Sequence, residues 1–451
     1  MAISQWRRVA TAGSALLLCA TLATAATSIG DAGAASKARA PKVPGVTATQ
    51  VTIGATVPLT GIASSGYNQV AKAANAVFRY VNSKGGVNGR RIRYVLEDDC
   101  YGTPGFGCTG VPNTVTQTQK LLALPVFATV GSLGTPTQDL VRTLLKKNGV
   151  PQLFVNSGSS DWNDPAQYPG LFGWQPSYSV ESKILAKYIL STYANQNVCF
   201  LGQGDDFGTN GLAGLVAGGV SPVVTDFYST TSLVATNGAS IAPYIQAFQS
   251  AKCTVVYLDT IPGATDAALG AALQLSYTPH WVISSVGSDP QTVAAPFKSL
   301  GVDPEVGAVS FTYLPTPTSA SPWINWMYKV LQADPTDFPG FTSTTPLNGN
   351  IEYGIGWGVA FVEALKAAGR NFTRASFLKL LTHSTFTQTP SLAPLQYTPI
   401  NHQGLNAGQV DVVASATSVK TVSNTVYTTN SKNGPVTVVH RLSTGIPPWL
   451  K

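Results

Sequence analysis

Charge is scarce in this chain of 451 residues: 11% are Asp, Glu, Lys or Arg, against 44% hydrophobic. That excludes a charge-rich disordered protein and leaves a globular one whose surface is carried by Ser, Thr, Asn and Gln. The net charge of +7 is spread thinly. Its densest cluster beyond the first residues, Arg90, Arg91 and Arg93, has no interleaved aromatics, so no nucleic-acid partner is expected. Histidine is rarer still: His280, His383, His402 and His440 are scattered, and no Cys-x-x-Cys pair occurs, so no metal site is expected. Catalytic signatures are missing as well. There is no Gly-x-Ser-x-Gly and no phosphate loop, and Gly202-x-Gly204 lacks the third glycine of a dinucleotide loop. The adjacent pairs Asp98-Asp99 and Asp205-Asp206 read as helix caps rather than as a general acid and base. Neither an enzyme nor a cofactor is expected.

What is present begins with an export signal. Trp6-Arg7-Arg8 supplies a positive start, Val9 to Ala26 an apolar run, and Ala23-Thr24-Ala25 a small-residue cleavage site, giving a signal over 1–26. A lipid anchor at Cys19 is the alternative, against which Leu18 precedes it where a small residue is wanted. Residues 27–47, rich in Ala, Gly, Ser, Pro and Lys, read as a flexible leader. No later apolar run reaches the ~18 residues of a membrane span. Removing Cys19 leaves an even number of cysteines, which suits an oxidising, extracytoplasmic place.

From Val51 the pattern alternates. The β-branched run Val51–Thr56 reads as a strand, and Val70, Ala73, Ala74, Val77, Phe78 and Val81 then follow a helical period. Strands Ile92–Leu96, Val126–Val130, Pro151–Val155, Val198–Gly202, Val223–Tyr228, Thr254–Leu258 and Trp281–Ser285 continue in this way, most with a helix between them. Such spacing specifies α/β architecture with parallel sheets. There are too many units for one sheet, and the loop Asn156–Ser177 separates two series, so two doubly wound lobes are expected. Polar, glycine-rich loops follow several strands: Leu59-Thr60-Gly61, Gly131–Thr135, Asn156–Ser160 and Gly204–Gly208. At that sheet edge ligands bind, because helix N-termini point free N–H groups into the crevice. Small hydroxyls and exposed amides there suit a carboxylate.

The segments Ile53-Gly54-Ala55-Thr56-Val57-Pro58-Leu59-Thr60-Gly61 and Val81-Asn82-Ser83-Lys84-Gly85-Gly86-Val87-Asn88-Gly89-Arg90, followed by Glu97-Asp98-Asp99, resemble the type I periplasmic binding proteins of branched-chain amino acid importers. Gly149–Phe154, Ala186–Leu190 and Asp206-Phe207-Gly208 are similar to that family too. The resemblance implies two lobes joined by three crossovers near Gln175, Tyr313 and Tyr397. It places residues 48–174 and 316–395 in the first lobe, and 175–315 and 396–445 in the second. It implies an extracytoplasmic, monomeric solute receptor that docks on the membrane permease of an ABC importer. A ligand-sensing subunit acting through a partner chain is the alternative. The ligand it implies is a small organic acid or a branched-chain or aromatic amino-acid-like molecule.

Site residues follow from the same resemblance. Gly158, Ser159 and Ser160 match the loop that grips a ligand carboxylate, with Ser160 at the hydroxyl position. Thr135 supplies a further hydroxyl, Phe207 walls the pocket, and Tyr67 lies close to another aromatic position. Amino-acid binders place an acidic residue after the strand Trp281–Ser285, where this chain reads Ser284-Ser285-Val286-Gly287. An ammonium would then need Asp259 or Asp206 instead of Ser285. Two disulfides are expected. Cys100 and Cys108 flank a glycine-rich step that folds back easily. Cys199 and Cys253 start the first and third strands of the second lobe, which are neighbours in the order 2-1-3-4-5.

Overall fold

The structure is a computed structural model that describes residues 42–104 and 107–451. The expected signal, Cys19 and most of the leader lie outside the described residues. The first series runs β1 (Gln50–Val57), α1 (Asn68–Ser83), β2 (Arg91–Asp98), α2 (Thr114–Leu122), β3 (Thr129–Val130), α3 (Thr135–Lys147), β4 (Gln152–Val155) and β5 (Leu171–Gly173). Its five strands are parallel, in the order β2-β1-β3-β4-β5. From Val51 onward β1 is buried on both faces, as an apolar strand between two helical layers must be.

The second series is α4 (Tyr178–Thr192), β6 (Val198–Gln203), α5 (Asp206–Ala217), β7 (Val224–Tyr228), α6 (Thr230–Ala235), α7 (Ala242–Ser250), β8 (Val255–Asp259), α8 (Pro262–Gln274), β9 (His280–Ile283), α9 (Pro290–Val293) and β10 (Val309–Thr312). Strands β6 to β10 are again parallel, in the order β10-β9-β8-β6-β7. Helices α10 (Pro322–Gln332), α11 (Gly349–Ala367) and α12 (Arg374–His383) return to the first sheet, where α11 packs along α1. After the short pair β11 (Thr385–Phe386) and β12 (Leu395–Gln396), β13 (Ala407–Ser415) joins the second sheet antiparallel to β10. Strands β14 (Ser418–Thr421), β15 (Tyr427–Thr428) and β16 (Thr437–Val438) extend that edge. Both lobes are therefore doubly wound. Among the described residues no helix is long and apolar enough to cross a membrane.

Some elements differ from the sequence reading. The strand expected over Val126–Val130 shrinks to Thr129–Val130: Val126 N turns back to Leu124 O, and before Thr129 the segment keeps only the bonds Phe127 N to Thr52 O and Gly54 N to Ala128 O with β1. The run Val436–Leu442, whose first four residues are all β-branched and favour a strand, forms one only at Thr437–Val438.

The passages between sheets are hydrogen-bonded to one another. Gly173 N donates to His402 O at 2.9 Å, and Leu405 N to Trp174 O at 3.0 Å. Between these bonds Gly404 has φ +100°, and a Cβ there would stand 2.5 Å from Trp174 O. The passage after β10 is tied at Tyr313, whose carbonyl accepts from Leu392 N at 2.9 Å. The segment after β16 then crosses back. Ser443 N bonds Leu392 O, and Leu450 O accepts from Trp326 Nε1 on α10 at 3.1 Å.

Cys100 and Cys108 lie at bonding distance, with Cα atoms 5.9 Å apart, and so do Cys199 and Cys253, at 5.8 Å. The second pair follows from strand order: β6 and β8 are neighbours, and Cys253 precedes β8 beside Cys199. Two outcomes are expected. Gly404→Ala forces a side chain into a left-handed, crowded position and lowers stability by about 1–3 kcal/mol in urea unfolding. Replacing both Cys199 and Cys253 by Ala removes a closure spanning a separation of 54 residues, lowering stability by up to about 4 kcal/mol on the chain-entropy model. Unchanged midpoints in either case would contradict these assignments.

Candidate functional site

Two close helix pairs build the site, one in each lobe. Gly354 and Gly358 of α11 face Val70 and Ala74 of α1 so tightly that a Cβ at Gly358 would lie 3.1 Å from Ala74 Cα. This contact sets Tyr67, at the start of α1, beside Asn350, Glu352 and Tyr353 in the first turn of α11. In the other lobe Gly214 of α5 lies against Ser179 of α4, where a Cβ would be 2.5 Å from Ser179 Cα. That seam brings Tyr178 and Phe207 together, with ring centroids 4.5 Å apart.

The helix starts converge on a cavity between the two sheets. Of the residues expected at a ligand, Tyr67, Thr135, Phe207 and Ser285 line it. Gly158, Ser159 and Ser160 are not among its lining residues. The Ser159 hydroxyl caps a short turn by accepting from Asp161 N, and Ser160 N donates to Asn210 Oδ1 in the other lobe. Asp259 and Asp206 are also absent from the lining. Asp259 is buried among the second lobe's helices against Gly211, and Asp206 lies at the rim of a neighbouring depression. Tyr178 is a site residue that the loop pattern does not reveal. Its hydroxyl bonds Thr135 Oγ1 at 3.0 Å and Ser157 Oγ at 3.2 Å, while Thr135 and Ser157 bond each other at 2.7 Å.

Several hydrogen bonds cross the cleft. Tyr67 OH donates to Val286 O at 3.0 Å, Gly349 N to Asp289 Oδ1 at 2.8 Å, and Asn350 Nδ2 to Thr292 Oγ1 at 3.2 Å. Five tyrosines border the cavity: Tyr67, Tyr101, Tyr178, Tyr313 and Tyr353.

The charge is one-sided. Asp289, Glu352 and Asp411 line the cavity, and among the described residues no Lys, Arg or His does. Asp289 is well supplied, accepting from Gly349 N, Thr292 N and the Thr292 hydroxyl. Glu352 and Asp411 are not. They are 3% and 4% exposed, and Glu352 Oε1 and Asp411 Oδ1 have no hydrogen-bond partner among the described residues. Behind them Glu181 accepts from both the backbone N–H and the hydroxyl of Ser285, at 2.5 and 2.8 Å. Burial disfavours the charged form of all these acids. It pushes Glu181 and Asp411 up to about 7, and Glu352 well above the usual carboxylate range; Asp411 adds to the rise at Glu181, and Asp289 and Asp411 to that at Glu352. The sequence does carry a trace of Asp411: it is a lone carboxylate flanked by valines in a strand buried on both faces.

Because these pKa values are raised on folding, the stability they contribute is full below about pH 4, where the unfolded carboxyls are protonated. It is lost as pH rises through about 7. The ligand-free protein is therefore expected to melt several degrees higher at pH 5 than at pH 8. Glu352→Gln should flatten that difference and raise the melting temperature at pH 8. A melting temperature that climbs from pH 5 to 8 would contradict the protonated state of this cluster.

The model of a family described as periplasmic binding protein matches residues 50–416. A Leu/Ile/Val-binding protein, BraC3 from Rhizobium johnstonii, is 27% identical over 181 residues, which is 39% of this chain and 47% of that protein. The match thus spans about half of that relative's length. Among solved structures, a fatty acid ABC transporter substrate-binding protein from Thermomonospora curvata superposes with TM-score 0.70 at 17% identity, covering 87% of this chain and 96% of its own. A branched-chain amino acid ABC transporter protein from Thermus thermophilus with bound valine gives TM-score 0.67 at 17% identity, covering 85% and 97%. At such identities the likeness carries the fold, and the family model carries membership. This chain belongs to the periplasmic binding proteins, a family of extracytoplasmic ligand-binding proteins that are not enzymes.

Proposed function

We propose that the chain is the solute receptor of an ABC importer, closing its two lobes on a small ligand and presenting the closed form to a membrane permease. The observation that carries this reading is the cavity itself. It is walled by both lobes and bridged by side-chain hydrogen bonds from Tyr67, Asp289 and Asn350. A ligand filling it adds contacts to both sides at once, so binding and closure become one equilibrium.

Of the ligand classes the sequence admits, the cavity favours the amino-acid-like over the simple organic acid. The acidic partner missing at Ser285 is supplied by Glu352 of α11 and Asp411 of β13. The tyrosine-rich wall suits a branched aliphatic or aromatic body. An organic acid without an amino group would bring a further negative charge to three carboxylates, with no basic side chain to receive it. The relatives' ligands, valine bound in one structure and the fatty acid for which another is named, bracket an apolar body of this kind.

A thermal-shift screen of amino acids, carboxylates and amines tests the receptor reading. A ligand at about a hundred times its Kd adds about 2.7 kcal/mol to the folded state. For about 400 residues unfolding together that is a rise of roughly 3 °C. Small-angle scattering should show the same ligand reducing the radius of gyration. A ligand that raises the melting temperature with no change in radius would contradict closure.

A further inference from the structure

We infer, on the basis of the receptor reading above, that the ligand is an amine without a carboxylate: an ammonium head held between Glu352 and Asp411, with an apolar or aromatic body against the tyrosines. Three independent features of the cavity lead there.

The first is the pair of unpartnered oxygens, Glu352 Oε1 and Asp411 Oδ1, on carboxyls more than nine-tenths buried that line the cavity. A buried carboxylate without a partner is strongly destabilising, and a cation within hydrogen-bond reach removes the penalty. An ammonium has three donors, enough for Glu352 and Asp411; Asp289 already accepts from Gly349 and Thr292 on both of its oxygens. Glu181 is not available to it, because Ser285 already occupies both of its oxygens.

The second feature is the state of the hydroxyls that would receive a carboxylate. Thr135, Ser157 and Tyr178 bond one another in a closed triangle, and Ser157 Oγ also accepts from Ser159 N. A ligand carboxylate would have to break that triangle and displace Tyr178. The anion-favouring element left on this wall is the start of α3 at Gly134 and Thr135. A helix N-terminus amounts to roughly half a positive charge, which does not balance three carboxylates.

The third is the aromatic border. Tyr67, Tyr101, Tyr313 and Tyr353 line the same cavity as the acids, and tyrosine rings attract a desolvated ammonium by about 0.5–2 kcal/mol each when a face is presented. The groups facing Asp411 and Glu352 from the packed elements are acidic: Glu181 on α4, Asp289 before α9, and Glu305 before β10. A bound cation makes Asp411 and Glu352 ionise, so binding releases protons and strengthens as pH rises.

Matched sets separate the possibilities: 3-methylbutylamine, leucine and 4-methylpentanoate, then 2-phenylethylamine, phenylalanine and 3-phenylpropanoate. Each is titrated calorimetrically into the full chain. In at least one set the amine should bind tenfold or more tighter than its two companions at pH 7.5, and weaken by up to about a hundredfold per pH unit below about 7, because two carboxyls must ionise. Glu352→Gln and Asp411→Asn should each weaken amine binding at least thirtyfold, with the ligand-free melting temperature raised or unchanged at pH 7.5. If the amino acids or the acids bind best, the amine assignment is wrong and the receptor reading stands. If all six are silent at millimolar concentration, the amine assignment also fails. Silence across a broad solute screen as well would remove the receptor reading with it.

Discussion

The arrangement depends on two places where helix backbones approach almost to touching. At the closest approaches of α11 to α1 and of α5 to α4, Gly354, Gly358 and Gly214 face a small residue or bare backbone. No larger side chain fits there without pushing the helices apart. Each seam sets the height at which its helices begin, and those starts carry Tyr67, Glu352, Tyr178 and Phe207 to the cavity. The site is thus assembled from two rigid halves, whose helix starts and strand-end loops meet at the cavity. This suits a binding surface that must be remade at every closure.

Electrostatics and closure are linked through the same residues. Opening the cleft would expose Glu352 and Asp411 to water and let them ionise freely. Closing it empty forces them towards the neutral form. The closed form therefore carries a penalty that only a suitable occupant relieves, so the protein need not rest closed when nothing is bound. The cross-cleft bonds at Asp289 and Tyr67 are neutral or charge-assisted contacts to backbone. They hold the closed form together without identifying the ligand.

The α/β alternation was legible because long β-branched runs and amphipathic helices repeat at close to regular spacing, and the second lobe's strand order followed from the doubly wound topology. Helix α2 was not: Thr-Val-Thr-Gln-Thr-Gln is polar, and its start is marked only by Asn113 capping Thr116 N. Strand β5 is three residues long and is held by its neighbours rather than by its own pattern. In the site, Tyr67, Thr135, Phe207 and Ser285 could be placed through the family resemblance, at or near loops after strands. Glu352 and Asp411 could not, because they come from a helix start and an antiparallel strand more than 60 residues beyond those loops. Only the fold decides that these face the cleft. Tyr178 was hidden for a related reason: its role depends on reaching hydroxyls in the opposite lobe.

The segment after β16 has a mechanical consequence. Strands that pass side by side between two bodies form a narrow ribbon, and a ribbon can twist as well as bend. Here the chain passes back once more, is tied to Leu392 beside the ribbon, and is anchored farther away on α10. A tether fixed off the axis resists twisting while leaving bending free. Relative motion of the lobes is thereby reduced to one angular coordinate, and a single well-chosen distance between them follows the whole excursion.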